Sequence, residues 1–191
     1  MIFSTINKKG GVGKTAFSFS IAKDLKLFLQ SNDNSIIESL YPNKTKISAH
    51  PSLLQDCVYD FGGFIERGVL DIARNSDAIL IPCTPLYNAV LRTIESIQEL
   101  QGIAVPLIVL ITDFQSQKEK EQVVSTLQSN FTDLHFFFFK HSRILENSMR
   151  TGLSFKELAM QTPLAKLQYK TFIDEYQCLL ETLQSKGKQH G

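Results

Sequence analysis

Short apolar runs recur along this chain, separated by longer stretches in which apolar positions return every three or four residues. Residues 1–6, 36–37, 57–59, 78–81, 107–111 and 135–139 are the apolar runs, and each predicts a strand. Residues 69–74, 90–100, 118–127 and 164–183 carry helical periodicity between or after them. Phe17, Ile21, Leu25 and Phe28 also recur at helical spacing, which predicts a helix with one buried face after the first strand. All-apolar strands alternating with helices predict an α/β domain: a doubly wound, mostly parallel sheet flanked by helices. Phe136, Phe137, Phe138 and Phe139 run continuously rather than alternating, so they predict a buried strand and not an aromatic binding surface. Residues 185–191 predict a disordered tail, which leaves residues 1–184 as a single domain.

The composition agrees with one globular unit. The chain has 191 residues, 43% of them hydrophobic, and a net charge of +1, enough for a sizeable core and no bias toward a strongly charged partner. Its apolar runs fall short of the ~18 residues that span a bilayer, and the first run enters a strand rather than a signal peptide. A cytoplasmic protein is expected. Cys57, Cys83 and Cys178 are scattered without paired spacing, which argues against a structural disulfide, a zinc site or an iron–sulfur cluster.

The chemistry begins between the first strand and the first helix, where residues 9–15 read KGGVGKT. Strand, glycine-rich loop and helix in that order are the context of a phosphate-binding loop of the P-loop NTPase type. Gly10, Gly11 and Gly13 allow the backbone to curl with its N–H groups inward, and Val12 to Ala16 bring the positive end of the helix beneath the phosphates. Lys14 is expected to reach the β- and γ-phosphates, and Thr15 to ligate Mg²⁺. A second acidic group should stand at the end of a neighbouring strand, and Asp60 in CVYDFGGF fits, holding Mg²⁺ through water. Gly62 and Gly63 follow it, with backbones free to swing toward a γ-phosphate and sense it.

The loop departs from the usual pattern: Lys8 stands where a glycine is common, and a further lysine, Lys9, precedes the glycine pair. This order resembles the deviant Walker A motif of the ParA/MinD family of ATPases, and the Asp60 region resembles that family's Walker B and switch II segment. The resemblance implies ATP and Mg²⁺ as ligands, and Lys9 as the residue that reaches a partner subunit's nucleotide across an ATP-dependent homodimer. It extends through residues 76–85, similar to a strand and proline-bounded loop at the dimer face, and through Lys140, Arg143, Glu146 and residues 152–158. With a short segment between Pro42 and the Asp60 strand, the chain is similar to the small, single-domain, ParF-like partition ATPases.

Members of that family carry Asp-x-Asp-Pro-Gln after the second strand. If the second strand is the run at 36–37, the matching stretch is residues 38–43, Glu-Ser-Leu-Tyr-Pro-Asn. Aligned on Pro42, Ser39 and Tyr41 take the acidic places; aligned on the strand, Glu38 and Leu40 do. Either way the second carboxylate is missing, which predicts slow hydrolysis, with Glu38 or Asn43 left to orient the water.

The resemblance further implies a nucleoid-associated protein that binds DNA non-specifically, partitions plasmid or chromosomal cargo, and is reset by a ParB-like activator or centromere-binding protein. Residues 61–134 carry five Lys/Arg against nine Asp/Glu, and residues 135–191 eight against five. The basic end is therefore the candidate DNA face, with Lys140, Arg143, Arg150, Lys166 and Lys170 as phosphate contacts. Asp113 lies where a carboxylate could read guanine, although the family implies adenine and a turn or helix cap would also explain it. Two alternatives stay open: a nucleotide-switched accessory protein of a mobile element or secretion system, and a MinD-like membrane regulator. The second needs a basic amphipathic C-terminal helix; Leu179, Leu180 and Leu183 look like core, so no stable membrane association is expected.

Overall fold

The computed structural model describes residues 1–63 and 67–187. Seven strands, β1 (Ile2–Ile6), β2 (Phe28–Ser31), β3 (Thr45–Ile47), β4 (Cys57–Phe61), β5 (Ala78–Cys83), β6 (Leu107–Phe114) and β7 (His135–Lys140), form one sheet in the order β3-β2-β4-β1-β5-β6-β7. Every neighbouring pair is parallel. The helices are α1 (Lys14–Asp24), α2 (Ile37–Leu40), α3 (Arg67–Arg74), α4 (Tyr87–Leu100), α5 (Gln117–Gln128), α6 (Ile144–Thr151), α7 (Phe155–Met160), α8 (Pro163–Gln168) and α9 (Lys170–Gly187).

Successive residues of a strand point to opposite faces, and here they feed two cores. On one face Phe3, Val58, Leu80 and Leu110 pack with α1, α7 and α9; on the other Ile2, Tyr59, Ile79 and Val109 pack with residues of α3, α4 and α5. The strands β1, β4 and β5 are buried along their whole length, which is why they read as continuous apolar runs. On the first face Phe17, one turn into α1, meets Phe139 at 4.8 Å and Phe155 at 5.3 Å between ring centroids. Phe172 closes the cluster at 4.8 Å from Phe139. These edge-on and tilted contacts fix α1, and with it the loop before it.

Three local expectations change. Residues 36–37 are not a strand: Ile37 opens α2, and the second strand is Phe28–Ser31. α1 ends at Asp24, and Lys26 turns the chain at φ 61° without a glycine, so Phe28 starts a strand instead of continuing a helix. The segment 164–183 is two helices that meet at Tyr169; Thr162 caps the start of α8, accepting from Ala165 N at 3.0 Å, and Pro163 occupies its first turn. α9 then runs to Gly187, so residues 185–187 are helical rather than part of a disordered tail; residues 188–191 lie outside the described residues. In β7 only Phe139 is fully buried, since this strand forms an edge of the sheet and Phe136 to Phe138 are covered on fewer sides.

Candidate functional site

The carboxyl ends of the strands gather around the loop that follows β1, which lies between β4 and β5 where the strand order reverses. Asn7, buried at the end of that strand, builds the base of the loop. Its Nδ2 donates to Pro82 O at 2.7 Å and Thr93 Oγ1 at 2.8 Å, and its Oδ1 accepts from Lys9 N at 2.8 Å. Lys8 N donates to Ser96 Oγ at 3.0 Å, while the Lys8 ammonium pairs with Glu99 on α4. Lys8, in place of the usual glycine, is thus an anchor to α4. Gly11 and Gly13 take φ of 75° and 98°, the left-handed turns that curl the loop. A Cβ on Gly13 would come within 2.8 Å of Leu145, so this glycine also admits α6 to the loop.

The loop opens into a cavity of about 450 Å³, lined by residues 10–16, Asp33, Thr84, Thr112, Asp113, residues 139–143, Leu145, Glu146 and Met149. Lys14 is 7% exposed, and its Nζ donates to Lys9 O at 3.0 Å. Burial lowers its pKa, a shift opposed by the nearby carboxylates of Asp60 and Asp33. Lys9 is half-buried and folds back on the loop, Nζ to Gly10 O at 3.1 Å.

Asp60, on β4, is 1% exposed. Its Oδ2 accepts from Thr15 Oγ1 at 2.8 Å and Ser31 Oγ at 3.4 Å, and its Oδ1 is buried with no partner. Desolvation raises its pKa to about 6, against hydrogen bonding from Thr15 and the charge of Lys14. An orphaned carboxylate oxygen beside a threonine hydroxyl fits a hard divalent cation such as Mg²⁺, which takes few protein ligands and keeps its waters. Among the described residues no group of three His, Cys, Asp or Glu side chains could hold a metal ion alone, so phosphate and water would have to complete the shell.

The raised value has a sign. The folded protein holds the Asp60 proton up to about pH 6, whereas the unfolded chain releases it near 3.8, so the ligand-free protein loses stability as pH rises through that window. The loss is on the order of 3 kcal/mol. Thermal unfolding of the wild type and Asp60→Asn between pH 4 and 8 should diverge by that amount, the variant gaining relative stability up to pH 6. Parallel curves would contradict the assignment.

One expected catalytic group stands elsewhere. Glu38 is not at the cavity: its Oε1 accepts from Ile47 N at 2.8 Å and ties α2 to β3. The second strand ends at Ser31, so the Asp-x-Asp spacing falls on Ser31 and Asp33, and Asp33 lines the cavity. Ser31 Oγ accepts from Asp33 N at 3.0 Å, while Asn32 Oδ1 accepts from Gly62 N at 2.8 Å. A Cβ on Gly62 would meet Asp33 Oδ2 at 2.6 Å, so the glycine after Asp60 admits that carboxylate. A carboxylate therefore stands just past the second strand at the cavity, where the reading of residues 38–43 places none. Gly63 follows at φ 71°, and residues 64–66 lie outside the described residues.

The five basic candidates have different surroundings. Lys140 and Arg143 line the cavity itself. Arg150, on α6, donates to Asn147 Oδ1 at 2.9 Å, and Lys170 pairs with Asp174 at 2.6 Å. Lys166 lies on α8, none of whose residues is buried and whose Leu164 and Leu167, with Met160 of α7, are 72%, 73% and 80% exposed. Leu179, Leu180 and Leu183 are buried, as expected. No described helix is long and apolar enough to cross a membrane.

No family model and no curated protein matches the sequence. Solved structures match over nearly its whole length. McdA of Cyanothece aligns with a TM-score of 0.68 at 13% identity, covering 97% of this chain and 98% of that one. MinD, a cell division protein of Aquifex aeolicus, aligns at 0.63 and 14% identity, covering 94% and 97%. A protein of Borrelia burgdorferi assigned to plasmid partition, bound to AMPPNP, aligns at 0.60 and 15% identity, covering 92% and 97%. The chain therefore has the α/β fold of these MinD and plasmid-partition structures.

Proposed function

We propose that this chain is a ParA/MinD-type ATPase that binds ATP with Mg²⁺ and uses the bound triphosphate as a dimerisation switch. The observation that carries the reading is the convergence of Lys14, Thr15 and Asp33 on one cavity at the start of α1, with Asp60 buried behind Thr15 and accepting its hydroxyl. Backbone N–H groups of the glycine loop and the α1 N-terminus receive the phosphates, and Lys14 supplies a buried positive charge beside them. Thr15 and, through water, Asp60 would hold Mg²⁺, which would supply positive charge to the phosphates. Asp33 accepts a hydrogen bond from the attacking water and orients it. Gly62, bonded to Asn32 and close against Asp33, and Gly63 after it carry the state of the γ-phosphate to residues beyond. Lys9, at the loop's outer side, completes a second subunit's site in the dimer. Titration calorimetry tests the first step: MgATP binds, and a protein that takes up neither ATP nor ADP contradicts the reading.

The ATP dimer, as we read it, positions plasmid or chromosomal cargo on DNA without sequence preference, with a ParB-like partner stimulating hydrolysis and resetting the switch. Two copies of the basic 135–187 region on one particle would bind phosphates with steep salt dependence. A second reading, a MinD-like regulator at a membrane, gains from the exposed Met160, Leu164 and Leu167 beside Lys166, apolar and basic side chains suited to an anionic interface. Co-sedimentation separates the two. With MgATP the protein should pellet with non-specific DNA at 50 mM salt and be released at 200 mM; flotation with anionic vesicles, lost in Leu164→Glu, would favour the membrane instead.

A further inference from the structure

Away from the nucleotide cavity, α7, α8 and α9 enclose a second hollow, of about 690 Å³. Met160 at the end of α7, Pro163 at the start of α8 and Ile173 of α9 give it apolar surface, while Lys156, Lys166 and Asp174 bring charge to it. The apolar surface continues past the hollow. Leu164 and Leu167 share α8 with Pro163 and Lys166, and both stand mostly in water, as Met160 does. Large apolar side chains gathered in this way mark a surface that another molecule covers.

The hollow is preformed. The start of α7 is fixed to the end of α1: Ser154 Oγ donates to Asp24, and Lys23 Nζ donates to Gly152 O at 2.6 Å and pairs with Glu157 at 2.6 Å. α9 is held by the same carboxylate, Tyr176 Oη donating to Asp24 Oδ2 at 3.0 Å, and its Phe172 is buried in the aromatic cluster of the core. Walls fixed in this way lose little freedom when a ligand enters, which favours binding. The charges select the sign of that ligand. Asp174 is neutralised by Lys170 at 2.6 Å, whereas Lys156 and Lys166 form no ion pair among the described residues. The surface therefore presents apolar side chains with net positive charge beside them, the complement of an apolar face with an acidic flank.

We infer that this groove docks an amphipathic helix of a partner protein, its apolar face on Met160, Leu164 and Leu167 and its acidic flank on Lys156 and Lys166. Helix-in-groove recognition needs a concave apolar floor and apolar contacts that run on beyond it, and α7, α8 and α9 supply both. A small ligand filling the hollow would leave Leu164 and Leu167 in water. A bilayer would cover those two residues but could not follow the hollow, and a second copy of the chain would bring the same positive charge to the contact. The groove uses no residue of the nucleotide cavity, so the inference stands apart from the nucleotide reading.

The test measures, by fluorescence anisotropy at low salt, the binding of the full chain to two short synthetic helices. Both carry leucine along one face; one has glutamate and the other lysine at the remaining positions. The wild type should bind the glutamate helix about tenfold more tightly than the lysine helix. Lys156→Glu combined with Lys166→Glu should invert that preference. Met160→Ser combined with Leu164→Ser should weaken both helices about tenfold or more. The variants should melt close to the wild type, since Met160, Leu164 and Lys166 are exposed and Lys156 is only half-buried. Binding of neither helix, equal binding of both, or a preference unchanged by the lysine substitutions overturns the inference. Flotation of the wild type with phosphatidylglycerol vesicles, or its self-association in sedimentation, overturns it as well if Met160→Ser with Leu164→Ser abolishes that behaviour, because the surface then belongs to a membrane or to a second copy.

Discussion

Lys14→Ala should abolish nucleotide binding without unfolding the protein. The lysine is 7% exposed, donates only to the Lys9 carbonyl, and has its pKa lowered by burial, so in the ligand-free protein it is a charge held out of water at a cost. Alanine relieves that cost, although it leaves Asp60 and Asp33 without their nearby cation. The two effects oppose each other, and the ligand-free melting temperature should move little. With nucleotide the balance is different. A buried ammonium against a triphosphate makes charge-assisted hydrogen bonds of ~1.5–3 kcal/mol each, and losing two of them lowers affinity at least about 100-fold. Thermal shift with and without MgATP checks both halves: the wild type should be stabilised by ligand and the variant should not. Equal stabilisation of the two would place the phosphates elsewhere.

Asp33→Asn should leave ATP bound and remove its hydrolysis. The carboxylate lines the cavity, lies against Gly62 and bears on the charge of both Lys14 and Asp60. An amide of the same shape keeps the packing but loses the strong acceptor that orients water, an effect of about 100-fold or more in turnover. The matching change Glu38→Gln should leave turnover unchanged, since Glu38 only joins α2 to β3. Phosphate release at saturating MgATP measures both. Full activity in Asp33→Asn, or a collapse in Glu38→Gln, would restore the sequence-based assignment.

That exchange of Glu38 for Asp33 also shows where the sequence stopped being readable. The loop from Lys9 to Thr15 was legible because backbone freedom and phosphate chemistry constrain residue type at each place. β1, β4, β5 and β6 were legible because burial on both faces makes their sequences apolar. β2 broke that rule by burying Gln30 and Ser31. Gln30 is satisfied by Ser52 O at 2.8 Å, and Ser31 by Asp33 and Asp60, partners that no local pattern reveals. The turn before it uses Lys26 at positive φ, without the glycine that would have marked it. The local pattern therefore carries Phe28 into the helix, puts the strand at 36–37, and sets the acidic motif too far along the chain, at residues 38–43.

The surroundings of the basic residues were hidden for another reason. A charge count along the chain says nothing of where side chains meet, and the fold sends Lys140 and Arg143 to the cavity, Lys170 to Asp174 and Lys166 to an exposed apolar helix. Asn7 was missed although a polar residue closing an apolar strand was its signal. Its three hydrogen bonds hold the base of the loop.

Sedimentation velocity of the purified protein with MgATP, with MgADP, and as Lys9→Ala with MgATP tests the switch most directly. Lys9 lies half-buried, and among the described residues its ammonium donates to the neighbouring Gly10 carbonyl alone, so it can turn toward a second subunit. The account predicts a dimer with ATP alone, and a monomer with ADP and in the variant. A monomer under every condition, or a dimer indifferent to nucleotide and to Lys9, would contradict it.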